Sequence, residues 1–295
     1  MRLARKVLRS IKQRLAKRNR QADIRAYVKG GLRPWSRGYQ FSKFDFIRNV
    51  LNDDDLMARS RSLEPLPNGY GYGYDERVVE YPWTLSRLSV EEDKLLDAGS
   101  VFNFREIVDH PAISNKNFTI LTLAPEGHAF WNRGISYHYS DLRKLPFKDN
   151  WFDEIISIST LGHIGMDNRL YTGDGASGKI GLEAKQAAKE LIRVLRPGGK
   201  FLASVVFGKH QLIEWKNGSP FAEQFDSLML KDLLKVFSSC TSVHTNFYKY
   251  TEKGWNVSTE DKCQGVEYYN IHTATTFDPD NAAAARSVAL IEVVK

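Results

Sequence analysis

From residue 94 onward, short apolar runs alternate with stretches of helical periodicity, which restricts the chain to few architectures. Runs suited to strands stand at Lys94–Ala98, Phe118–Leu123, Ile135–Tyr139, Glu154–Thr160 and Lys200–Phe207. Two later ones stand at Ser242–Tyr250 and Ser287–Val294. Between the fourth and fifth, Leu182, Ala187, Leu191, Ile192 and Leu195 recur at helical spacing and predict a helix over Leu182–Leu195. Arg196-Pro-Gly-Gly199 should end it, because proline cannot continue a helix and glycine permits the turn into a strand. Strands alternating with helices predict an α/β fold, a doubly wound, mostly parallel sheet of seven strands.

The apolar share of 42% is that of an ordinary globular chain and excludes collagen-like, disordered and disulfide-scaffold readings. A chain of 295 residues buries enough surface to need no metal or disulfide staple. Cys240 and Cys263 are the only cysteines, which points to a reducing compartment and rules out a cysteine-based zinc framework. No run of 18 apolar residues occurs, so no membrane span is expected. The expected location is cytoplasmic, with peripheral contact at the inner face of the membrane as an extension of that reading. Asn117, Asn217 and Asn256 head glycosylation triplets that, without a signal peptide, read as chance.

Charge divides the chain. Residues 1–50 hold 15 Lys/Arg against two acids, a balance of +13, while the rest holds 27 bases and 33 acids, a balance of −6. Within residues 1–20, Leu3, Val7, Leu8, Ile11 and Leu15 share one helical face and basic residues surround them. Such a helix suits an anionic membrane surface, a transit peptide, or packing on the body with its basic face solvated. Nucleic acid is disfavoured, because no aromatic residue interleaves the bases. The organisation read from these shifts is a basic amphipathic extension over 1–50, a Pro/Gly/Tyr-rich lead-in over 51–93 and the α/β domain over 94–295. The segment from Leu32 to Tyr74 reads as irregular. Its glycines alternate with Tyr70, Tyr72 and Tyr74, as in a lid over a ligand or a surface loop packed by its own tyrosines.

In an open parallel sheet, ligands bind beyond the carboxyl ends of the strands, where strand order reverses. The loops at those ends hold Asp97 and Gly99 after the first strand, Asp141 after the third, and Ser159 and His163 after the fourth. An acid at a strand end accepts from an amine or hydroxyl, and glycine lets backbone approach a ligand. His163 there is a candidate general base, against the plainer reading of a histidine that braces its loop. Asp167 and Asp174 are too loosely spaced to call a metal site, and none is expected. Gly173-Asp-Gly-Ala-Ser-Gly-Lys-Ile180 looks like a phosphate loop but lacks the hydroxyl residue after Lys179, and no strand runs into it. No G-x-G-x-x-G follows the first strand, which disfavours a nicotinamide dinucleotide.

At these residues the chain resembles the class I S-adenosylmethionine-dependent methyltransferases. Leu96-Asp-Ala-Gly-Ser100 resembles the first motif of that family, an acid-x-Gly turn around the amino-acid part of the cofactor. Ser140-Asp-Leu142, Leu145-Pro-Phe147 and Asp149–Asp153 resemble the stretch whose first acid holds the adenine amino group. Ser159-Thr-Leu-Gly-His-Ile164 and Glu190–Gly199 resemble the two later motifs. The resemblance implies a Rossmann-like fold, S-adenosylmethionine as cofactor, and Asp97, Gly99, Ser100, Asp141, Leu142 and Ser159 as its contacts. Glu80-Tyr-Pro-Trp83, Ser159–Gly165 with Gly173-Asp174, and Val205-Val-Phe-Gly208 are similar to a bacterial subgroup associated with surface polysaccharide synthesis. That implies O-methylation of a sugar or glycan precursor. Three departures keep open a non-catalytic scaffold docked on a membrane: Ser100-Val-Phe102 where the motif continues to a second glycine, no acid in the second strand before Glu126, and Gly162 in place of a glutamate.

Overall fold

The computed structural model describes residues 18–169 and 183–295. Most of the basic stretch 1–20, together with Asp174 and the loop 173–180, therefore lies outside the described residues. The sheet strands are β1 (Lys94–Ala98), β2 (Asn117–Thr122), β3 (Ser136–Tyr139), β4 (Phe152–Ile158), β5 (Leu195–Val206), β8 (Ser242–Thr251), β9 (Gly254–Ser258) and β10 (Ser287–Val294), with β6 (Gln211–Glu214) and β7 (Pro220–Gln224) forming a separate hairpin. The sheet runs β3-β2-β1-β4-β5-β10-β8-β9. Its first five strands pair in parallel and the last three antiparallel. This is the Rossmann-like arrangement of class I methyltransferases, with order reversing between β1 and β4.

Every strand expected from the sequence is present, and an eighth joins them. The chain turns at Glu252-Lys253 and returns along β8 as β9, and Gly254 makes the return feasible. It adopts φ 81°, and a Cβ there would stand 2.3 Å from the carbonyl oxygen of Tyr70. Alternation along the strands sorts side chains into two cores. Leu95, Ile120, Ile156 and Leu202 face one way, and Leu96, Leu121, Ile155 and Ala203 the other. Both faces are covered along the central strands, and Val288–Ile291 of β10 is apolar at every position. The second core is closed by Ala187 and Leu191 of the helix Glu183–Val194. That helix stops one residue before the expected Leu195, which already pairs with Phe152, so Arg196-Pro-Gly-Gly199 is the opening of β5.

The first core is covered by N-terminal helices, two of which fall in the segment Leu32–Tyr74 that reads as irregular in sequence. Residues 18–29 form α1, followed by α2 (Tyr39–Leu51), α3 (Asp54–Ser62) and α4 (Arg77–Leu85). Asp53 caps α3 by accepting from the Leu56 amide at 3.1 Å. The tyrosine run is a packed turn, and none of its rings lines the main cleft. The Tyr74 ring lies 5.8 Å from Tyr27 and 5.3 Å from Phe46, and Tyr72 stacks on Tyr250. Tyr70 has a specific task. Pro82 inside α4 has no N–H for the carbonyl of Val78, four residues back, and the Tyr70 hydroxyl donates to that carbonyl at 2.7 Å.

A buried ion pair ties α2 to the turn before α4. Lys43 Nζ donates to Asp75 Oδ2 at 2.6 Å, Tyr39 donates to the same oxygen at 2.8 Å, and both members of the pair are about 5% exposed. Burial alone would raise the Asp75 pKa, but Lys43 and its hydrogen bonds hold it below the ordinary value. Lys43→Met strands that carboxylate and is expected to cost about 3–5 kcal/mol, read as a lower urea midpoint with an unchanged slope. An unchanged midpoint would show that the pair does not anchor α4.

Candidate active site

The turn after β1 is built around Asp97. Its fully buried carboxylate accepts from the amides of Phe102 at 2.8 Å and Val101 at 3.2 Å, folding the chain back over the strand end. Burial pushes its pKa up to about 7, partly opposed by those amides. Gly99 sits at φ 131°, where a Cβ would stand 2.2 Å from Thr160 Oγ1. Ser100 follows in the left-handed region at φ 63°, and its buried hydroxyl makes no hydrogen bond among the described residues. Of these three, Gly99 reaches the cleft wall, while Asp97 and Ser100 support the turn behind it. Tyr81 braces the same turn by donating to the Val101 carbonyl at 2.8 Å.

Opposite stands the turn after β4, held from the N-terminal layer by a group that the sequence marks only as the start of the Glu80–Trp83 stretch. The carboxylate of Glu80 on α4 is wholly buried. Its Oε1 accepts from Ser159 and Ser204, each at 2.6 Å, and its Oε2 accepts from Arg77. Burial opposes the Arg77 charge, but Glu80 and Glu76 hold the guanidinium ionised. An acid inside the apolar run Val78–Trp83 was the available signal. Ser159 takes φ 45° at the strand end, and a short 3-10 turn carries the chain from Leu161 to His163. The Nδ1–H of His163 donates to the carbonyl of Phe221 at 2.7 Å, which assigns the lone pair to Nε2. Burial lowers the His163 pKa below 6.5, so the ring is neutral at neutral pH.

Gly162 has a steric reason. A Cβ there would meet the backbone oxygen of Glu223 at 2.8 Å, so the hairpin β6–β7 can pack on this turn only if the position is glycine. Asp167, weighed as a metal ligand, is bound by Arg169, which with Ser219 lowers its pKa. Among the described residues, no three His, Cys, Asp or Glu side chains gather as a metal site.

The third wall follows β3. Asp141 and Leu142 both line the cleft. Asp141 receives the Arg143 guanidinium at 2.9 Å and its amide at 2.8 Å, and these outweigh burial to lower its pKa. Glu126, beyond β2, also lines the cleft and accepts from Asn103 at 2.8 Å. The second strand carries no acid, and Glu126 stands four residues past its end. The cleft measures about 310 Å³, within the range of small-molecule sites.

Residues 113–203 match a family model described as a methyltransferase domain. That stretch is similar to a methyltransferase domain, a class whose cofactor is S-adenosylmethionine. Among solved structures, it is similar to a SAM-dependent methyltransferase from Thermotoga maritima, at 13% identity over 85% of this chain and 100% of that one, with a TM-score of 0.43. It is also similar to the Burkholderia thailandensis 1,6-didemethyltoxoflavin-N1-methyltransferase, at 13% identity over 70% of this chain and 72% of that one, with a TM-score of 0.41. A search of curated proteins found no match.

The cleft fits such a cofactor at Gly99, where any side chain would fill the approach between the β1 and β4 turns. Gly99→Ala combines strained backbone with a clash on Thr160, so it should lose about 1–3 kcal/mol and bind S-adenosylhomocysteine at least about tenfold more weakly. Calorimetry at wild-type affinity would refute this role.

Proposed function

We propose that the protein transfers a methyl group from S-adenosylmethionine to a hydroxyl oxygen of a sugar or glycan precursor. When bound, the cofactor supplies an electrophilic methyl group on a sulfonium sulfur. In this reading Asp141 accepts from the adenine amino group beside Leu142. Glu126 accepts from the ribose hydroxyls, and Gly99 and Ser159 give room to the amino-acid end. Asp97 and Ser100 act by shaping the turn rather than by touching the cofactor. The acceptor hydroxyl lies against His163, whose Nε2 takes its proton as the oxygen attacks.

The observation that carries this reading is the fixed tautomer of His163 on the cleft wall, neutral through burial and held by the Phe221 carbonyl. A general base needs that state, and positioning supplies most of the remaining barrier reduction in a simple displacement. Preference for a hydroxylated acceptor is supported by the polar wall of Arg77, Ser159 and Asn168 and by the likeness of Glu80–Trp83 and Val205–Gly208 to the surface-polysaccharide subgroup. A role for the basic stretch 1–20 at an anionic membrane belongs to the same proposal. Its last base, Arg20, is already engaged by Asp45 at 2.6 Å.

His163→Ala should lower turnover by about 10²–10⁴-fold with cofactor affinity unchanged. The base works only when neutral, so the wild-type rate should fall as pH drops through the lowered His163 pKa, below 6.5, and that limb should vanish in the mutant. Acceptors for the assay come from a screen of nucleotide sugars, lipid-linked sugars and glycan fragments. Full activity in the alanine mutant would end the assignment.

A further inference from the structure

Beside the cleft lies a second recess of about 40 Å³, space for a group or two the size of a water molecule. Arg77, Ser159 and His163 belong to the walls of both cavities, so the recess adjoins the main cleft at the candidate base. Glu76, Tyr268 and Glu223 line it further.

Glu76 is the unusual member. It is 8% exposed, and its Oε2 is enclosed with no hydrogen-bond partner among the described residues. Its Oε1 stands 3.7 Å from an Arg77 nitrogen, beyond hydrogen-bond reach. It occupies the N-cap position of α4, yet its side chain caps nothing. The neighbouring acids are all employed: Asp75 by Lys43 and Tyr39, Glu80 by Arg77 and two serines, and Glu223 by His210 at 3.0 Å. A buried acceptor without a donor is destabilising, and an apolar residue there would remove that cost. Retaining a carboxyl at such a place points to a donor that arrives with a ligand.

We propose that Glu76 is an acceptor-binding residue: its Oε2 accepts the O–H of a neutral hydroxyl group that enters the recess past His163. The recess has room for a hydroxyl or hydroxymethyl arm. The Arg77 guanidinium beside Glu76 disfavours an ammonium group, and an apolar group would leave Oε2 without its donor. Glu76 therefore selects polyhydroxylated acceptors, a refinement that rests on reading the cleft as an O-methyltransferase site.

The test uses the full chain saturated with S-adenosylhomocysteine, with ethylene glycol and ethylammonium as probes at tens of millimolar. With carbon-13 in the glutamate carboxyls, the Glu76 signal is assigned by its absence in Glu76→Gln. Glycol should move that signal and ethylammonium should not. In Glu76→Met the saturation-transfer signal of glycol should fall at least fivefold, S-adenosylhomocysteine should bind within twofold of wild type, and the melting temperature should hold or rise. A still Glu76 signal on the wild-type protein overturns the proposal, as does glycol binding that survives in Glu76→Met or a larger response to ethylammonium. Failure of S-adenosylhomocysteine to bind would instead sink the methyltransferase reading, and the Glu76 carboxyl shift would then decide the recess by itself.

Discussion

The carboxylate of Glu80 is where the N-terminal helices and the sheet become one structure. A carboxylate buried away from solvent is tolerable only when its lone pairs are satisfied. Here Ser159 and Ser204, at and near the ends of β4 and β5, and Arg77, one turn back on α4, supply the donors. Because the network is closed, none of its members can move independently. The strand ends fix α4, α4 fixes Arg77, and Arg77 forms part of the wall beside His163. The Lys43–Asp75 pair, itself enclosed by Tyr39, Trp35 and Phe44, holds the other end of the same segment. The site is therefore assembled from two layers, and the N-terminal helices are part of it rather than an appendage.

This explains what could and could not be read from the residues. The strands were legible because a sheet buried on both faces needs apolar-rich runs such as Val288–Ile291, whatever else the chain does. Boundaries slipped by one to five residues where pairing extended past the apolar run, as with Leu195 opposite Phe152. The helices α2 and α3 were illegible for the opposite reason. α3 buries only Ser60, and α2 buries a mixed set including Ser42 and Lys43, so neither shows a clean apolar stripe. Their packing depends on tyrosines and a buried ion pair, and both can be recognised only once the chain is folded.

The departures from the family pattern have local causes of different kinds. Gly162 is glycine because the β6–β7 hairpin touches it, an element whose short strands left no recognisable signature. The second strand carries no acid, but the loop after β2 brings Glu126 to the cleft. The missing second glycine falls at Val101. That residue is not in the left-handed region, so the position needs no glycine conformation, and Asp97 holds Val101 and Phe102 by their amides. Phe102 then turns into the core against Tyr81, with ring centres 5.2 Å apart, instead of across the cofactor approach. Spacing in the sequence could not foretell that outcome, because it depends on where the Phe102 side chain finds space.

Two buried carboxyls, Asp97 and Glu76, are both pushed up to about 7 by burial, and that has a consequence for the working range of the protein. A carboxyl whose pKa is raised on folding contributes stability that is fully present below its unfolded pKa, about 4. That contribution is lost as pH rises through the folded value near 7. These two groups therefore favour the folded chain under mildly acidic conditions. His163 pulls the other way: it is needed neutral, and acid conditions protonate it. Its lowered pKa widens the overlap, because burial that raises the carboxyls lowers the imidazole by the same physics. Desolvation at the junction of α4 with the β1 and β4 turns thus sets both limits, the stability lost toward high pH and the base lost toward low pH. A single property of the site, its dryness, links the closed Glu80 network to the chemistry proposed beside it.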